Sequence, residues 1–577
     1  MISPAILIIA GGAVLPLLPR KIRSTAAIAI PLAALWIVFT LADGSTLETS
    51  FLSYTLVLLK VDSLSRVFGI IFTIIAVAGG VFAYHLKETG QQSAALFYGG
   101  GAVGVAFAGD LFTLLFFTEL MALSSVYLVW ARRTPESQRA GFRYILMHLA
   151  GGSLMMAGIL LHLAETGSIA IQLFEPGSSV AAWLILVGVA LNGAIPPLHP
   201  WLPDAYPKAT VTGAIFLCAF TTKSSVYVLI RLFAGWEILI FFGVIMALYG
   251  AIYALLVDDI REILAYSIIS QIGYMVTAVG IGTSMAINGA TAHAFSHILY
   301  KALLFMGAGL VLHTTWKSRL SELGGLAGRQ RLTFFLYMVG AFSISGLPLF
   351  NGFISKSMII SAAGEAHFEM VVLLLLMASI GSWLHTGLRL PYYTWLGESR
   401  GLEPAEPPRN MHVGMGILAF LCVLFGVAPS LLYNMLPHEV HYHPYTLPHL
   451  METTQILILA LVGFWLLRHK LAGQRGLILD TDWFYRRPAP FLQRFIVEST
   501  ARGFRKSETI AVGFVHALTR MSKNPLPALQ RFSAVAPDRI SENEFNPDRS
   551  RPILQFAGGL ILLTFVVIAL LILLGSS

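Results

Sequence analysis

Apolar runs dominate the chain, each close to the roughly twenty residues a helix needs to cross the hydrocarbon core of a bilayer, and short polar stretches separate them. The pattern predicts sixteen spans, at residues 3–19, 25–42, 64–86, 94–109, 110–131, 140–163, 180–198, 208–232, 236–256, 262–283, 287–313, 333–360, 368–390, 412–434, 452–468 and 554–575. The fold expected is therefore an all-α polytopic membrane protein. Two runs are interrupted, at Asn192-Gly-Ala-Ile-Pro-Pro-Leu-His-Pro-Trp-Leu-Pro203 and at Ser345-Gly-Leu-Pro-Leu-Phe-Asn-Gly352. Proline removes a backbone donor and clashes with the preceding turn, so both helices should break. Unwound backbone survives at membrane depth only when buried in protein or lining a wet cavity. Breaks at the seventh and twelfth spans, five apart, are what an inverted repeat of five helices produces, and that architecture points to transport.

Composition agrees. Of 577 residues 56% are hydrophobic and 12% charged, far from the roughly 25% charge of a soluble domain. The net charge of +8 bears on topology rather than on nucleic acid, for which no binding module is present. Arg20/Lys21/Arg23, Arg132/Arg133/Arg139, Lys317/Arg319/Arg329/Arg331 and Arg468/Lys470/Arg475 all follow odd-numbered spans, which places those loops in the cytoplasm and both termini on the opposite side of a cytoplasmic (inner) membrane. Met1 to Leu18 lacks a leading charge, and its basic cluster follows the apolar stretch, the order of a retained first span. Cys218 and Cys422 sit inside apolar runs, where free thiols behave as small hydrophobes. The segment 468–553 carries fifteen Lys or Arg against eight Asp or Glu, with aromatic and leucine residues interspersed. It reads as a basic cytoplasmic-face segment, either an amphipathic helix lying along its neighbours or a solvated connector.

Ionisable side chains within spans are costly and are functional candidates by default. Glu119 lies near the centre of the fifth span in Thr118-Glu-Leu-Met121, and Lys223 in the eighth in Thr221-Thr-Lys-Ser-Ser225. A static ion pair and a snorkelling lysine are their structural alternatives. His293, His297 and Lys301 recur every four residues on the eleventh span, so they share one helix face with about 6 Å of rise between neighbours, a geometry suited to proton hopping. Zinc is disfavoured, because HxxxH supplies two ligands and Ala294 stands where a zinc hydrolase needs glutamate. Lys356 follows the second break. Asn192, His148, Lys208, His385 and Arg389 are possible modulators, with Lys208 and Arg231 reading as anchors near span ends; Asp110 and His162 are weaker candidates. His438, His441, His443 and His449 cluster in one external loop, solvated by default with metal binding as the alternative.

These residues occur in motifs that resemble the antiporter-like subunits of respiratory complex I (NADH:quinone oxidoreductase), membrane-bound hydrogenases and Mrp cation/proton antiporters. The motifs are Thr118-Glu-Leu-Met121, Pro197-Leu-His-Pro-Trp-Leu-Pro-Asp-Ala205, Leu264-Ala-Tyr-Ser267 with Ser270-Gln-Ile-Gly-Tyr274, His297-Ile-Leu-Tyr-Lys-Ala-Leu-Leu-Phe305, and Ser345-Gly-Leu-Pro348 with Gly352-Phe-Ile-Ser-Lys356. The resemblance spans roughly residues 60 to 435. Asp204-Ala-Tyr-Pro207 and Asp482-Trp-Phe-Tyr485 are similar to features of the D-type antiporter subunits. The resemblance implies a fourteen-helix core with two inverted repeats, broken seventh and twelfth helices, and a hydrated proton path through Glu119, Lys223, His293, His297, Lys301 and Lys356. On the same alignment Asn192 occupies a position where many members carry lysine. The implied organisation is N-terminal helices 1–93, first repeat 94–232, second repeat 236–390, C-terminal core helices 391–467, the basic segment 468–553 and a final span 554–577. The expected function is a proton-conducting subunit, with sodium or potassium exchange left open, working among other membrane subunits of an antiporter or complex I-like assembly. The alternatives are the proton-pumping subunit of a NADH:quinone oxidoreductase-like or hydrogenase-like complex and the membrane partner of an inorganic-carbon uptake protein. No cofactor is expected, since the chain has no cysteine set for iron–sulfur clusters.

Overall fold

The computed structural model describes residues 2–177, 179–473, 479–523, 561 and 563–567. Two compact units divide the chain, Met1–Asp480 and Thr481–Ser577. In the first, helix occupies each of the first fifteen predicted spans, and eleven helices among the described residues are long and apolar enough to cross a membrane. The sixteenth span, 554–575, falls almost entirely outside the described residues.

Caps decide where several helices begin. The sixth runs Pro135–Thr166, five residues longer at its start than its apolar run, because Thr134 accepts from the Ser137 amide while the Ser137 hydroxyl accepts from the Thr134 amide. Asp62 and Ser65 make the same reciprocal pair ahead of the third helix, Ser63–Phe82. Between the second and third helices the structure adds an element that the hydropathy pattern did not predict. Residues Thr46–Phe51 and Tyr54–Lys60 form an antiparallel hairpin, and Tyr54-Thr-Leu-Val-Leu-Leu-Lys60 has the β-branched and aromatic character that favours strands over a loop. Asp110 fastens the hairpin to the fifth helix, Leu111–Trp130, accepting from the Val57 amide at 2.7 Å and from the Thr113 amide at 2.9 Å.

Both predicted breaks are present. The seventh span is helical over Val180–Asn192 and resumes at Trp201–Ala205. The twelfth is helical over Arg331–Ser345 and again over Asn351–Glu365; Gly346, at φ +75°, ends the first half in the left-handed conformation that glycine adopts without strain. A third break was not expected. The eighth span divides into Gly213–Ala219 and Thr221–Phe233, because the Thr221 amide leaves the helical ladder and donates to the Tyr98 hydroxyl at 3.1 Å. Nothing local in the sequence marks it, since neither proline nor glycine is involved. The thirteenth helix, Glu369–Ser382, widens into π-helical turns at Trp383–Arg389, a deviation often found at functional positions.

The eleventh helix, Ser284–Thr315, is buried along nearly its whole length. It packs against the third, tenth, twelfth and fourteenth helices and the first half of the eighth, so its histidines and lysine have no access to lipid. Loops that follow odd-numbered spans share one end of the bundle. There Arg132 donates to the Pro207 carbonyl at 2.7 Å, Arg261 to Pro207 at 2.8 Å, Arg329 to Leu402 at 2.8 Å and Arg23 to Thr89 at 2.7 Å. In the second unit Ser499–Lys523 forms a single helix.

Candidate functional site

Breaking a membrane helix frees carbonyls that must find donors inside the protein. At two of the three breaks a buried lysine supplies one. Lys223 Nζ donates to the Cys218 carbonyl at 2.6 Å, at the C-terminal end of Gly213–Ala219, and to Thr222 Oγ1 at 3.0 Å. Lys356 Nζ donates to the Ile344 carbonyl at 2.8 Å, at the end of Arg331–Ser345, with Ser379 Oγ at 3.4 Å and the Tyr274 ring centre 5.2 Å away. Each ammonium therefore sits at the negative end of a half-helix, where its charge is favoured. At the remaining break the freed Leu191 carbonyl takes the Trp201 indole N–H at 2.9 Å.

Between the two lysines runs the stripe of the eleventh helix. Lys301 Nζ donates to Ser267 Oγ at 2.6 Å. His293 Nδ1 lies 3.0 Å from Ser355 Oγ, one residue from Lys356. His297 is buried with neither ring nitrogen hydrogen-bonded, and its ring meets Tyr300 at 5.2 Å and His293 at 6.3 Å. Lys223, Lys301, His293 and Lys356 all lie close enough to His297 to act on it electrostatically. The predicted stripe and both lysines are thus all buried, and the lysines lie within electrostatic range of His297. A polar branch continues the stripe: Tyr300 donates to Gln271 Oε1 at 3.3 Å, and Gln271 Nε2 to Ser382 Oγ at 2.9 Å. Beside Lys356 lies a cavity of about 100 Å³ bordered by Ser345, Ser357, Ser379, His449 and Glu452.

Glu119 stands apart from this group. It is half-buried, makes no hydrogen bond or ion pair to a described residue, and has no charged side chain in electrostatic reach. Its carboxyl packs onto Gly152 of the sixth helix so closely that any side chain there would collide with it.

The modulators divide into two kinds. Asn192 and His148 are bonded to each other, Oδ1 to Nδ1, at 2.6 Å. His385 is buried next to the axis, its Nδ1 2.6 Å from Thr386 Oγ1 and its Nε2 unpartnered. Lys208 pairs with Asp204 at 2.5 Å and Arg231 with Asp62 at 2.5 Å, both as anchors. Arg389 is a clamp, donating to the Leu471 carbonyl at 2.8 Å and to Val257 at 2.9 Å. Asp110 caps its helix as described, and His162 packs edge-on against Phe174 at 5.1 Å. Of the loop histidines, His449 stacks on Phe353 at 4.6 Å, and no three metal-ligating side chains converge among the described residues.

One cluster escaped the sequence reading. Asp480 accepts from Tyr249 at 2.5 Å and Tyr266 at 2.6 Å and lies 3.1 Å from His199 Nε2. Burial pushes its carboxyl up, but the His199 hydrogen bond and charge and the two tyrosine hydroxyls outweigh this and hold it below the usual carboxylate range. The partners lie more than two hundred residues away in sequence, so only its place beside the Asp482-Trp-Phe-Tyr485 motif could have drawn attention to it.

The model of the transmembrane region of NADH:quinone oxidoreductase and Mrp antiporter subunits matches residues 108–382, the stretch that holds every group of the buried axis. The D-type Na(+)/H(+) antiporter subunit of Alkalihalophilus pseudofirmus is 30% identical over 337 residues, 55% of this chain and 67% of its own. The chain belongs to this antiporter-like subunit family. Hydrogenase-4 component B of Escherichia coli is 28% identical over 442 residues, 68% of this chain and 65% of that protein. A chain of the Mrp complex from Dietzia sp. DQ12-45-1b superposes with a TM-score of 0.65 at 20% identity, covering 79% of this chain and 95% of its own, which extends the shared fold beyond the family match.

Proposed function

We propose that this chain conducts protons across the membrane as one subunit of a multisubunit cation/proton antiporter. The observation that carries the reading is the buried group Lys223–His297–Lys301–His293–Lys356, which runs from the break of the eighth span to that of the twelfth along a helix buried over nearly its whole length. So many ionisable groups without carboxylate partners are costly unless protons leave and return to them. Glu119, half-buried on the outer side of the fifth helix, is the port where charge passes to a neighbouring subunit, and the cavity beside Lys356 gives the opposite end of the file its access to water. The arginine-bearing end of the bundle faces the cytoplasm. Similarity to hydrogenase-4 component B over two thirds of the chain supports a second reading, in which the same path serves a redox-driven assembly whose electron-carrying groups reside in other subunits.

The test is proton flux by the native assembly in proteoliposomes, with a pH-sensitive dye inside. Glu119→Gln and Lys223→Met should each abolish most of the flux while leaving insertion unchanged, and normal flux in both would overturn the proposal. Mass spectrometry of the co-purifying subunits separates the two readings: small antiporter subunits support the first, flavin or iron–sulfur proteins the second.

A further inference from the structure

Glu119 has no charged group in reach, so a proton arriving there needs an intermediate carrier before it meets Lys223. One base is placed to serve. Glu119 rests on Gly152, and His148 lies four residues earlier on the same face of the sixth helix, one turn or about 6 Å along the axis. The His148 ring is buried between Tyr144, at 4.2 Å, and Trp201, at 4.5 Å. Its Nδ1 is 2.6 Å from Asn192 Oδ1. A carbonyl oxygen only accepts, so Nδ1 carries the hydrogen and the Nε2 lone pair is left bare. That Nε2 is buried and unpartnered. His148 borders a cavity of about 20 Å³ together with Thr118, Asn192, Thr221, Ser224 and Ser225. The volume suits one water molecule, and the Oγ of Ser224, another of the lining residues, has no hydrogen-bond partner among the described residues. Thr118 adjoins Glu119 in the chain, while Thr221 and Ser224 flank Lys223 by two residues and one, so the walls of the cavity come from the same turns of the fifth and eighth spans that carry the two.

We propose that His148, oriented by Asn192, is the proton carrier between Glu119 and Lys223. In the forward step the Glu119 carboxyl loses a proton and His148 Nε2 gains one, giving carboxylate and imidazolium with no change in net charge. In the second, Nε2 returns the proton to water in the cavity, from which it passes along the Thr221 and Ser224 hydroxyls to a neutral Lys223 amine. Tyr144, on the same helix, is the titratable group in contact with the ring, and Glu119 of the fifth helix rests on Gly152 one turn away. The seventh and eighth spans present only the uncharged Asn192, Thr221, Ser224 and Ser225, and Trp201 closes the remaining side.

The inference rests on the proton-conducting reading, and the experiment separates the two. In proteoliposomes holding the intact assembly, His148→Gln should lower flux about tenfold or more, the scale of one lost proton-transfer group. Adding Asn192→Lys to that variant places an ammonium on the same cavity and should restore a large part of the flux, which a merely structural role for His148 would not allow. Asn192→Leu, with the histidine intact, frees the tautomer and should change the pH profile of the flux; it provides the reading if His148→Gln does not assemble. Wild-type flux in His148→Gln, or an unaltered pH profile in Asn192→Leu, overturns the assignment. Lys301→Met is the control: if it loses flux while His148→Gln does not, His148 is no carrier although the path stands, and if both keep full flux the path itself is refuted.

Discussion

The two halves of the bundle share a broken helix and differ in what heals the break. In the second half Lys356 donates to the Ile344 carbonyl and belongs to a file with His293, His297 and Lys301. In the first, Lys223 likewise closes the break of the eighth span, but at the seventh Trp201 supplies the donor through its indole, Asn192 holds His148, and Glu119 is isolated at the edge. A backbone break thus demands a donor but not a charge. Where the donor is a lysine, the break itself carries a titratable group; where it is an indole, it does not.

The sharpest way to break this comparison is Lys301→Met. Lys301 is fully buried at the middle of the file and, among the described residues, bonded to Ser267, so flux in proteoliposomes should fall about 100-fold with assembly intact. Glu119→Gln comes next. Because the carboxyl lies at the rim rather than inside the file, the loss should be nearer tenfold, on the order of a single proton-transfer group, and a loss equal to that of Lys301→Met would erase the distinction between the halves. Gly152→Ala probes the same rim without touching a titratable group: the added methyl displaces the Glu119 carboxyl, the free end of a half-buried side chain, and lowers flux with little change in expression or stability. Arg389→Ala should act on stability alone. It leaves carbonyls of Leu471 and Val257 without their donor, which costs about 2 kcal/mol, lowers the melting temperature of the purified assembly, and spares flux per assembled protein.

The smallest effect concerns pH. Asp480 has its folded-state pKa depressed, so the stabilisation it gives is complete above the unfolded value of about 3.9 and is lost only as pH falls through the lower folded one. The tie from residues 479–480 to His199, Tyr249 and Tyr266 should therefore persist unchanged across the neutral range, and hydrogen exchange near residue 480 should be faster in Asp480→Asn at pH 7 while the wild type shows no opening until strongly acid conditions.

The breaks at the seventh and twelfth spans were legible because proline and glycine act locally. The stripe His293, His297, Lys301 was legible because helical periodicity fixes which residues share a face. The break at Phe220 was not, because its cause is the hydroxyl of Tyr98, 123 residues away. Asp480 was missed for the same reason, and the hairpin at 46–60 was hidden by the search for long apolar runs.

Sequence by itself determined the membrane as solvent, the helices and two of their breaks, and the inventory of buried titratable groups, since hydropathy, proline geometry and helical period depend only on near neighbours in the chain. Tertiary structure alone decided which of those groups lie near one another, that Glu119 stands apart from them, and that Arg389 clamps loops far from it in the chain. Those outcomes depend on packing, which brings residues tens to hundreds of positions apart into contact and which no local pattern encodes.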